Sequence, residues 1–213
     1  MSLDPSSPGR RPNVVRSAQT RSRLLEATVD CLHQVGYAAT TTPMVSRLSG
    51  VTRGGLLHHY PSKVALIIAT GEYCLSTMHD DPVYGGEPTP SPEEVMAKQM
   101  TRYGIALTEI IVGSRSDHAL AAEFSDLGRA ILTLYRRGAE KFARDLGISD
   151  SRTIEAMIWL HMAAFRGMAL MQMAGVRSEV NEEAIALLHL HRETVFEKIR
   201  AAERGPGREP QDP

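Results

Sequence analysis

Hydrophobic residues recur along this chain every three or four positions, which is the spacing of one face of an α-helix. The clearest run follows Ser91, where apolar residues return at intervals of four, three, four and three positions from Met96 to Ile110. No long alternation of Val, Ile, Thr or Tyr, the pattern of a strand, appears anywhere in the chain. The pattern predicts an all-α protein of about nine helices.

Capping signals indicate where these helices begin and end. Gly36 predicts the end of the first helix, Thr42 before Pro43 predicts an N-cap, and Ser91-Pro92-Glu93-Glu94 predicts a capping box with proline at the first helical position. Thr52 and Ser62 are expected to cap two more helices. The predicted helices span about residues 20–35, 42–49, 53–59, 62–79, 91–110, 116–124, 126–146, 150–174 and 181–203.

Composition divides the chain into four segments. Residues 1–18 and 204–213 are rich in Pro, Gly, Ser or Arg and predict disordered tails. Residues 19–64 contain two short helices joined by a turn at Gly50, which is the spacing of a helix-turn-helix domain. Residues 65–203 predict a larger helical domain, in which residues 80–90 form a loop.

The net charge of −1 conceals an asymmetry. Residues 1–65 hold eight Arg or Lys residues against three acidic ones, a net charge of +5 that leaves −6 for the rest. A basic end on an acidic body indicates contact with a polyanion at that end. The alternative is a chance excess of basic residues in a flexible tail.

The second helix of the predicted pair opens with Thr52-Arg53-Gly54-Gly55. In a helix-turn-helix this helix enters the major groove. Arg53 has the reach for guanine or phosphate, and the helix N-terminus offers free N–H groups to a phosphate. The two glycines suggest that backbone approaches another surface closely. Val45, Leu48, Val51 and Leu56 are expected to pack this pair against Leu24, Leu32 and Tyr60.

These residues carry a resemblance to a known family. The matching positions are Leu24-Leu25, Ala27, Gly36-Tyr37, Thr40-Thr41, Val45, Gly50-Val51-Thr52-Arg53-Gly54 and His59-Tyr60-Pro61-Ser62-Lys63 with Leu66. From Arg21 to Leu66, about a quarter of the chain, the sequence resembles the DNA-binding domain of the TetR family of bacterial transcription regulators. The resemblance implies three helices for DNA, a small-molecule effector, and a homodimer formed through the last two helices.

The chain departs from the family pattern at three positions. Ser46 and Ser49 stand where the family usually has alanine, and Leu57 stands where it has an aromatic residue that contacts a phosphate. His58 or His59 is a candidate to replace that contact. Tyr37 is left open between a phosphate contact and a hydrophobic plug. The predicted DNA contacts are Thr41, Thr42, Thr52, Arg53, Gly54, Gly55, Leu57, His58, His59 and Lys63.

The predicted helix 150–174 has two different faces. One face carries mostly small residues, which predicts close helix packing and makes this face the candidate dimer contact; its residues are Ala156, Leu160, Ala163, Gly167, Leu170 and Ala174. The opposite face is roomier and carries polar groups, which suggests a largely apolar ligand cavity; the alternative is ordinary core. The predicted ligand-binding residues are Tyr73, Met100, Tyr103, Leu107, Ile158, His161, Met162, Phe165 and Gln172.

No metal, cofactor or catalytic constellation is found in the sequence. Cys31 and Cys74 lie in apolar stretches and predict reduced core residues, while His189 and His191 are two apart on a helix and point in different directions. No signal peptide or membrane-length apolar run is evident, so a cytoplasmic protein is expected.

The leading hypothesis is a ligand-responsive repressor, not an enzyme, that leaves a palindromic operator when a small, largely apolar effector binds. The helix from Ser62 to Met78 is expected to couple the two sites. The alternatives are a helical adaptor for protein partners and, with less support, an enzyme using the C-terminal cavity.

Overall fold

The computed structural model describes residues 13–79, 91–176 and 178–204. Within these ranges the chain forms nine helices and no strand, which confirms the predicted all-α class. The predicted loop 80–90 and most of both predicted tails lie outside the described residues. The helices are α1 (Asn13–Ala39), α2 (Thr42–Ser49), α3 (Arg53–His59), α4 (Lys63–His79), α5 (Pro92–Gln99), α6 (Arg102–Gly113), α7 (His118–Asp145), α8 (Ser151–Met173) and α9 (Asn181–Arg204).

Helix α1 is longer than predicted. It begins at Asn13 instead of about Thr20, so residues 13–18, which were expected to be disordered, are helical. At its other end Gly36 has φ 74° and ψ 175°, which interrupts the helix where the sequence predicts a stop. This left-handed backbone favours glycine, because a Cβ would strain it.

The capping predictions are confirmed at three helices and corrected at one. The side chains of Thr52 and Ser62 accept hydrogen bonds from the third residue on, and Ser91 forms the full capping box with Glu94. At α2 the N-cap is Thr41, whose hydroxyl accepts from the backbone N–H of Met44, so Thr42 is the first helical residue and not the cap.

Two of the later boundaries differ from the prediction. The helix predicted from Ser91 through Ile110 is broken at Met100 and Thr101, because Thr101 caps a new helix by accepting from the N–H of Gly104. Gly104 is required there, since a Cβ would lie 2.5 Å from two carbonyl oxygens at the end of α5. Conversely, the two helices predicted over 116–124 and 126–146 are one continuous helix, α7.

Four clusters of buried side chains hold the helices together. The first packs α1, α2 and α3 through Leu24, Val45 and Leu56, with Leu66 of α4. Leu48 was expected there but is 53% exposed, and Leu32 belongs to the second cluster, which joins α1, α4, α6 and α7. Helix α4 therefore contributes side chains to both clusters.

The remaining two clusters bind α8 to its neighbours. One joins α7, α8 and α9 around Ile154 and Phe196, and the other joins α5 and α8 around Met96, Met162 and Phe165. Helix α8 has the length and mean hydropathy, 1.2 in its most apolar window, of a membrane-spanning helix, and 33% of that window is buried inside the fold. Its apolar character is therefore divided between a packed side and an exposed side.

Both cysteines are free thiols inside the fold, as predicted. Burial raises the pKa of the Cys74 thiol to about 12 and also raises the pKa of the Cys31 thiol. The two side chains belong to different clusters, Cys31 to the first and Cys74 to the second.

Candidate nucleic-acid interface and interior sites

The start of helix α3 presents polar groups and bare backbone to solvent. The hydroxyl of Thr52 accepts a hydrogen bond from the N–H of Gly55 at 3.2 Å, which fixes the first turn. Arg53 and Gly54 are exposed, and among the described residues the Arg53 side chain has no hydrogen-bond or ion-pair partner. A flexible guanidinium beside open backbone N–H groups is suited to phosphate or to a base edge.

The two glycines of this turn serve different purposes. A Cβ on Gly54 would meet nothing within 4 Å, so this position leaves room for an approaching surface. A Cβ on Gly55 would lie 3.1 Å from the Val51 side chain and 3.3 Å from the Thr52 hydroxyl, so this glycine is required inside the protein. Only Gly54 fits the expectation of close approach by a partner.

The other predicted contacts on α2 and α3 differ in their exposure to solvent. Thr41, Leu57 and His58 are exposed, while Thr42 and His59 are half-buried. The rings of His58 and His59 meet edge to face, with 5.3 Å between their centroids. Burial, with the nearby charges of His58 and Arg21, lowers the pKa of His59. His58 is thus the more accessible histidine for a partner.

Lys63 has an interior partner that the sequence did not reveal. Its ammonium donates to the backbone carbonyl of Tyr37 at 3.0 Å and lies 4.3 Å from the centre of the Tyr37 ring. Burial lowers the pKa of Lys63, although the nearby charge of Asp117 opposes this. The carbonyl and the ring of Tyr37 thus give Lys63, a predicted DNA contact, partners inside the protein. One hydrogen bond still leaves an ammonium two more N–H groups.

Tyr37 is a buried residue and not a groove-edge contact. It is 6% exposed, and its hydroxyl donates to Asp117 at 2.5 Å. Its backbone N–H donates to Glu109 at 2.8 Å. The open alternative for Tyr37 is resolved in favour of the plug.

The acidic residues of α1 are neutralised from α6. The guanidinium of Arg102 lies 2.6 Å from a carboxylate oxygen of Glu26 and 2.7 Å from one of Asp30. These are the two acidic residues within the described part of residues 1–65. An α6 cation therefore pairs with both described carboxylates of residues 1–65.

Three predicted ligand-binding residues pack in a different cluster from the others. The hydroxyls of Tyr73 and Tyr103 both donate to Glu26, and the two rings meet edge to face at 6.2 Å. Leu107 is fully buried in the second cluster. The sequence placed these residues in one pocket with His161, but they pack at the α1, α4 and α6 contact, because Glu26 attracts both hydroxyls.

Most of the other predicted ligand residues come together on α8. Met162 and Phe165 form a buried cluster with Met96, and Met100 and Ile158 pack against it. His161 packs edge-on to Phe165, and its Nε2 lies 2.9 Å from Nδ1 of His191 on α9. Burial, with the charges of His191 and Arg192, lowers the pKa of His161 to about 4. Gln172 is half-buried on the same helix.

A groove of about 660 Å³ lies elsewhere, between α7 and α8. None of the predicted ligand residues lines it. At one end the rings of Tyr135 and Trp159 meet edge to face at 6.0 Å, and nearer the middle Arg136 lies 3.5 Å from Glu155. The lining residues are Leu132, Tyr135, Arg136, Glu140, Ser151, Arg152, Glu155, Ala156 and Trp159.

Helices α8 and α9 both carry exposed apolar residues. The small-residue stripe of α8 points away from the core: Leu160 is 52% exposed, and a Cβ on Gly167 would meet nothing within 4 Å. On α9 the side chains of Phe196 and Ile199 pack inside the chain. The exposed apolar residues of α9 are Leu187 and Leu190, which the sequence analysis missed although they lie three positions apart.

The comparisons with known proteins agree on one family. The family model described as bacterial regulatory proteins, tetR family, matches residues 24–70. The HTH-type transcriptional regulator CymR of Pseudomonas putida is 37% identical over 67 residues, which cover 32% of this chain and 33% of that protein. The BetI regulator of Pseudomonas fluorescens is 33% identical over 69 residues. These two relatives are thus matched over about a third of their length.

Longer matches are more distant. An uncharacterized HTH-type transcriptional regulator of Mycobacterium tuberculosis is 23% identical over 192 residues, covering 81% of this chain and 92% of that protein. Among solved structures, a transcriptional regulator of Rhodococcus sp. Rha1 has a TM-score of 0.61 and 18% identity, covering 85% of this chain and 96% of that one. Reduced NemR of E. coli has a TM-score of 0.58 and 16% identity, covering 79% and 95%. The solved structures show that the fold extends over both parts of the chain.

Proposed function

We propose that this chain, whose residues 24–70 match the tetR family of bacterial regulatory proteins, is a DNA-binding transcriptional regulator and acts as a cytoplasmic, homodimeric repressor. Two α3 helices would read the half-sites of a palindromic operator, and a small, largely apolar molecule would release the protein from DNA. The observation that carries the proposal is the exposed start of α3, where Arg53 and Gly54 face solvent beside a fixed first turn.

The electrostatics of the molecule favour this orientation on DNA. Residues 1–65 carry a net charge of +5, and the two described acidic residues among them are paired with Arg102. A duplex approaching α3 therefore meets uncompensated cations, which steer a polyanion before any base is read. A helical adaptor for proteins has no need of this arrangement.

The homodimer is supported by the apolar face of α8 and α9. Exposed patches of this kind are uncommon in monomers and are characteristic of interfaces. The exposed residues of these two helices include the large side chains Leu160, Leu187 and Leu190, and also Gly167, whose missing side chain permits close helix approach. A twofold axis would pair this face with its copy and form a four-helix bundle.

We place the effector at the methionine-rich cluster between α5 and α8. Methionine side chains repack at small cost, so such a cluster can admit a ligand more readily than a core of branched residues. Met100, Met162 and Phe165 supply the apolar surface, and His161 supplies a neutral polar handle because burial keeps its pKa low. Tyr73, Tyr103 and Leu107 are not part of this site.

The DNA proposal is tested by selecting bound sequences from random duplexes with the purified protein. We expect an inverted repeat whose half-site centres lie about one helical turn apart or a multiple of it, and sedimentation of a dimer in solution. A monomer, or a selected site without two related halves, would contradict the proposal.

The effector proposal needs a separate test. A library of small apolar molecules is titrated against the preformed complex of protein and operator, and any molecule that dissociates it is retested with Phe165→Ala and His161→Ala. We expect Phe165→Ala to raise the effector midpoint while effector-free DNA affinity stays within about twofold. His161→Ala is expected to alter the order of preference among analogues. Equal midpoints in all three proteins would place the effector elsewhere.

A further inference from the structure

Helix α6 is fastened to helix α1 at both of its ends. In the chain, the reading helices α2 and α3 connect to the later helices through α4 (Lys63–His79). In space, α6 lies along α1, and the two share the second buried cluster. Two separate groups of polar side chains join them in addition to this apolar contact.

The first group lies at the start of α6 and is called here the Arg102 clamp. It consists of Arg102 and Tyr103 from α6, Glu26 and Asp30 from α1, and Tyr73 from α4. Arg102 bridges Glu26 and Asp30 at 2.6 and 2.7 Å, and also donates to the hydroxyl of Tyr103 at 2.8 Å. Both tyrosine hydroxyls donate to Glu26. Each of these five residues thus forms a hydrogen bond or an ion pair with a residue on another helix.

The second group lies at the end of α6 and is called the Tyr37 clamp. The N–H and hydroxyl of Tyr37 bond to Glu109 and Asp117, while Lys63 donates to the Tyr37 carbonyl. The Tyr37 ring lies directly against Gly113, where a Cβ would come within 2.6 Å of it. A tyrosine at the end of α1 is therefore held from α4, α6 and the start of α7 at once.

The two clamps restrict orientation in a way that apolar packing does not. Hydrophobic contact is non-directional, so two helices joined by it alone can slide and rotate with small losses. Hydrogen bonds and bidentate ion pairs depend on distance and angle. Arg102 and Gly113 are eleven positions apart on one helix, which separates the clamps by roughly 16 Å. Two directional attachments at that separation oppose both sliding and rotation of α1 against α6.

From this geometry we infer that Arg102 and Tyr37 are positioning residues for operator recognition. They touch no base. They hold α1, and with it α3, at one angle to the helices that form the proposed dimer, and so set the distance between the two α3 helices. The inference rests on the proposed dimer. It predicts that the clamps determine which half-site spacing is accepted, because one inserted base pair moves a half-site by ~3.4 Å and turns it by ~35°.

The test compares spacing preference between clamp variants and wild type. Binding is measured by fluorescence anisotropy on the selected operator, on versions with one base pair inserted or deleted between the half-sites, and on a single half-site. The variants are Arg102→Gln and Tyr37→Phe, the second of which removes a single hydroxyl without changing charge. Arg115→Gln is the matched control, since Arg115 is exposed just after α6 and its side chain has no partner among the described residues.

We expect wild type and Arg115→Gln to lose at least about tenfold in affinity when the spacing changes by one base pair. In Arg102→Gln and Tyr37→Phe this loss should shrink to about threefold or less. The affinity for the single half-site should stay close to that of wild type in all three variants. The measured quantity is the ratio of a protein's affinity for the selected operator to its affinity for the operator with altered spacing. Because both affinities belong to the same protein, a general loss of stability or a change in charge cancels in this ratio. Should Arg102→Gln not fold, Tyr37→Phe decides the matter.

Two kinds of failure can be told apart. A dimer on two half-sites whose spacing ratio is the same in wild type and in the folded clamp variants overturns the positioning role alone. A monomer in solution, or a selected site with a single half, overturns the proposed dimeric repressor and this inference with it.

Discussion

The contact between Gly113 and Tyr37 gives a stability prediction that can be worked from the structure. Replacing Gly113 by alanine adds a Cβ 2.6 Å from two carbons of the Tyr37 ring. The ring cannot easily yield, because Tyr37 is bonded at its backbone N–H to Glu109 and at its hydroxyl to Asp117. Overpacking of this kind typically costs about 1 to 3 kcal/mol.

Gly138→Ala is the matched control for this substitution. Gly138 lies inside α7, and a Cβ there would meet nothing within 4 Å. Alanine is favoured over glycine in a helix interior by about 1 kcal/mol, so Gly138→Ala should stabilise the protein. The two variants make the same chemical change but should shift the free energy of unfolding in opposite directions from wild type. Their free energies of unfolding should therefore differ from each other by about 2 to 4 kcal/mol.

Urea unfolding followed by circular dichroism measures both variants, at one protein concentration because dimer stability depends on concentration. We expect the midpoint of Gly113→Ala below wild type and that of Gly138→Ala above it. A Gly113→Ala protein as stable as wild type would show that the Tyr37 ring is not held against α6, and would remove the physical basis of the Tyr37 clamp.

Two further predictions concern the later helices. Gly167→Leu should leave the protomer folded, because nothing lies near its Cβ, yet should dissociate the dimer by sedimentation; dilution of wild type should also shift the emission of Trp159, the single tryptophan. A Gly167→Leu dimer of unchanged affinity would place the interface elsewhere. The pKa of His161 is lowered to about 4, so between about pH 6.5 and 4 the unfolded chain binds a proton at this residue that the folded chain does not. The free energy of unfolding should therefore decrease as the pH is lowered through that window, and it should decrease less in His161→Gln. Parallel pH profiles for the two proteins would refute a buried neutral His161.

Local signals in the sequence predicted what local geometry decides. Ser91, Thr52 and Gly36 act on their own neighbours, so the capping box, the start of α3 and the end of α1 were predicted correctly. The break at Thr101 was missed because the apolar spacing continues across it. The signal was present: a threonine three positions before Gly104 is an N-cap pattern, and only glycine fits against the α5 carbonyls.

Contacts between distant residues could not be predicted in the same way. Glu26 binds Tyr73 and Tyr103, which are 47 and 77 positions away, and nothing near any of the three identifies its partners. Lys63 similarly binds a Tyr37 carbonyl that carries no mark in the sequence. The two faces of α8 were detected as periodic patterns, but which face is buried depends on the neighbouring helices. On α9, packing against α7 and α8 buries Phe196 and Ile199 and leaves Leu187 and Leu190 exposed.

The central claim is that the start of α3 reads the operator. It is tested most directly by comparing Arg53→Ala with wild type on the selected operator and on the same operator with single base changes, with dimer content verified by sedimentation. The account predicts that Arg53→Ala costs about 1 to 3 kcal/mol of binding, roughly 5- to 150-fold, and removes discrimination at one base position in each half-site. An Arg53→Ala dimer with unchanged affinity and unchanged discrimination at every position would contradict it.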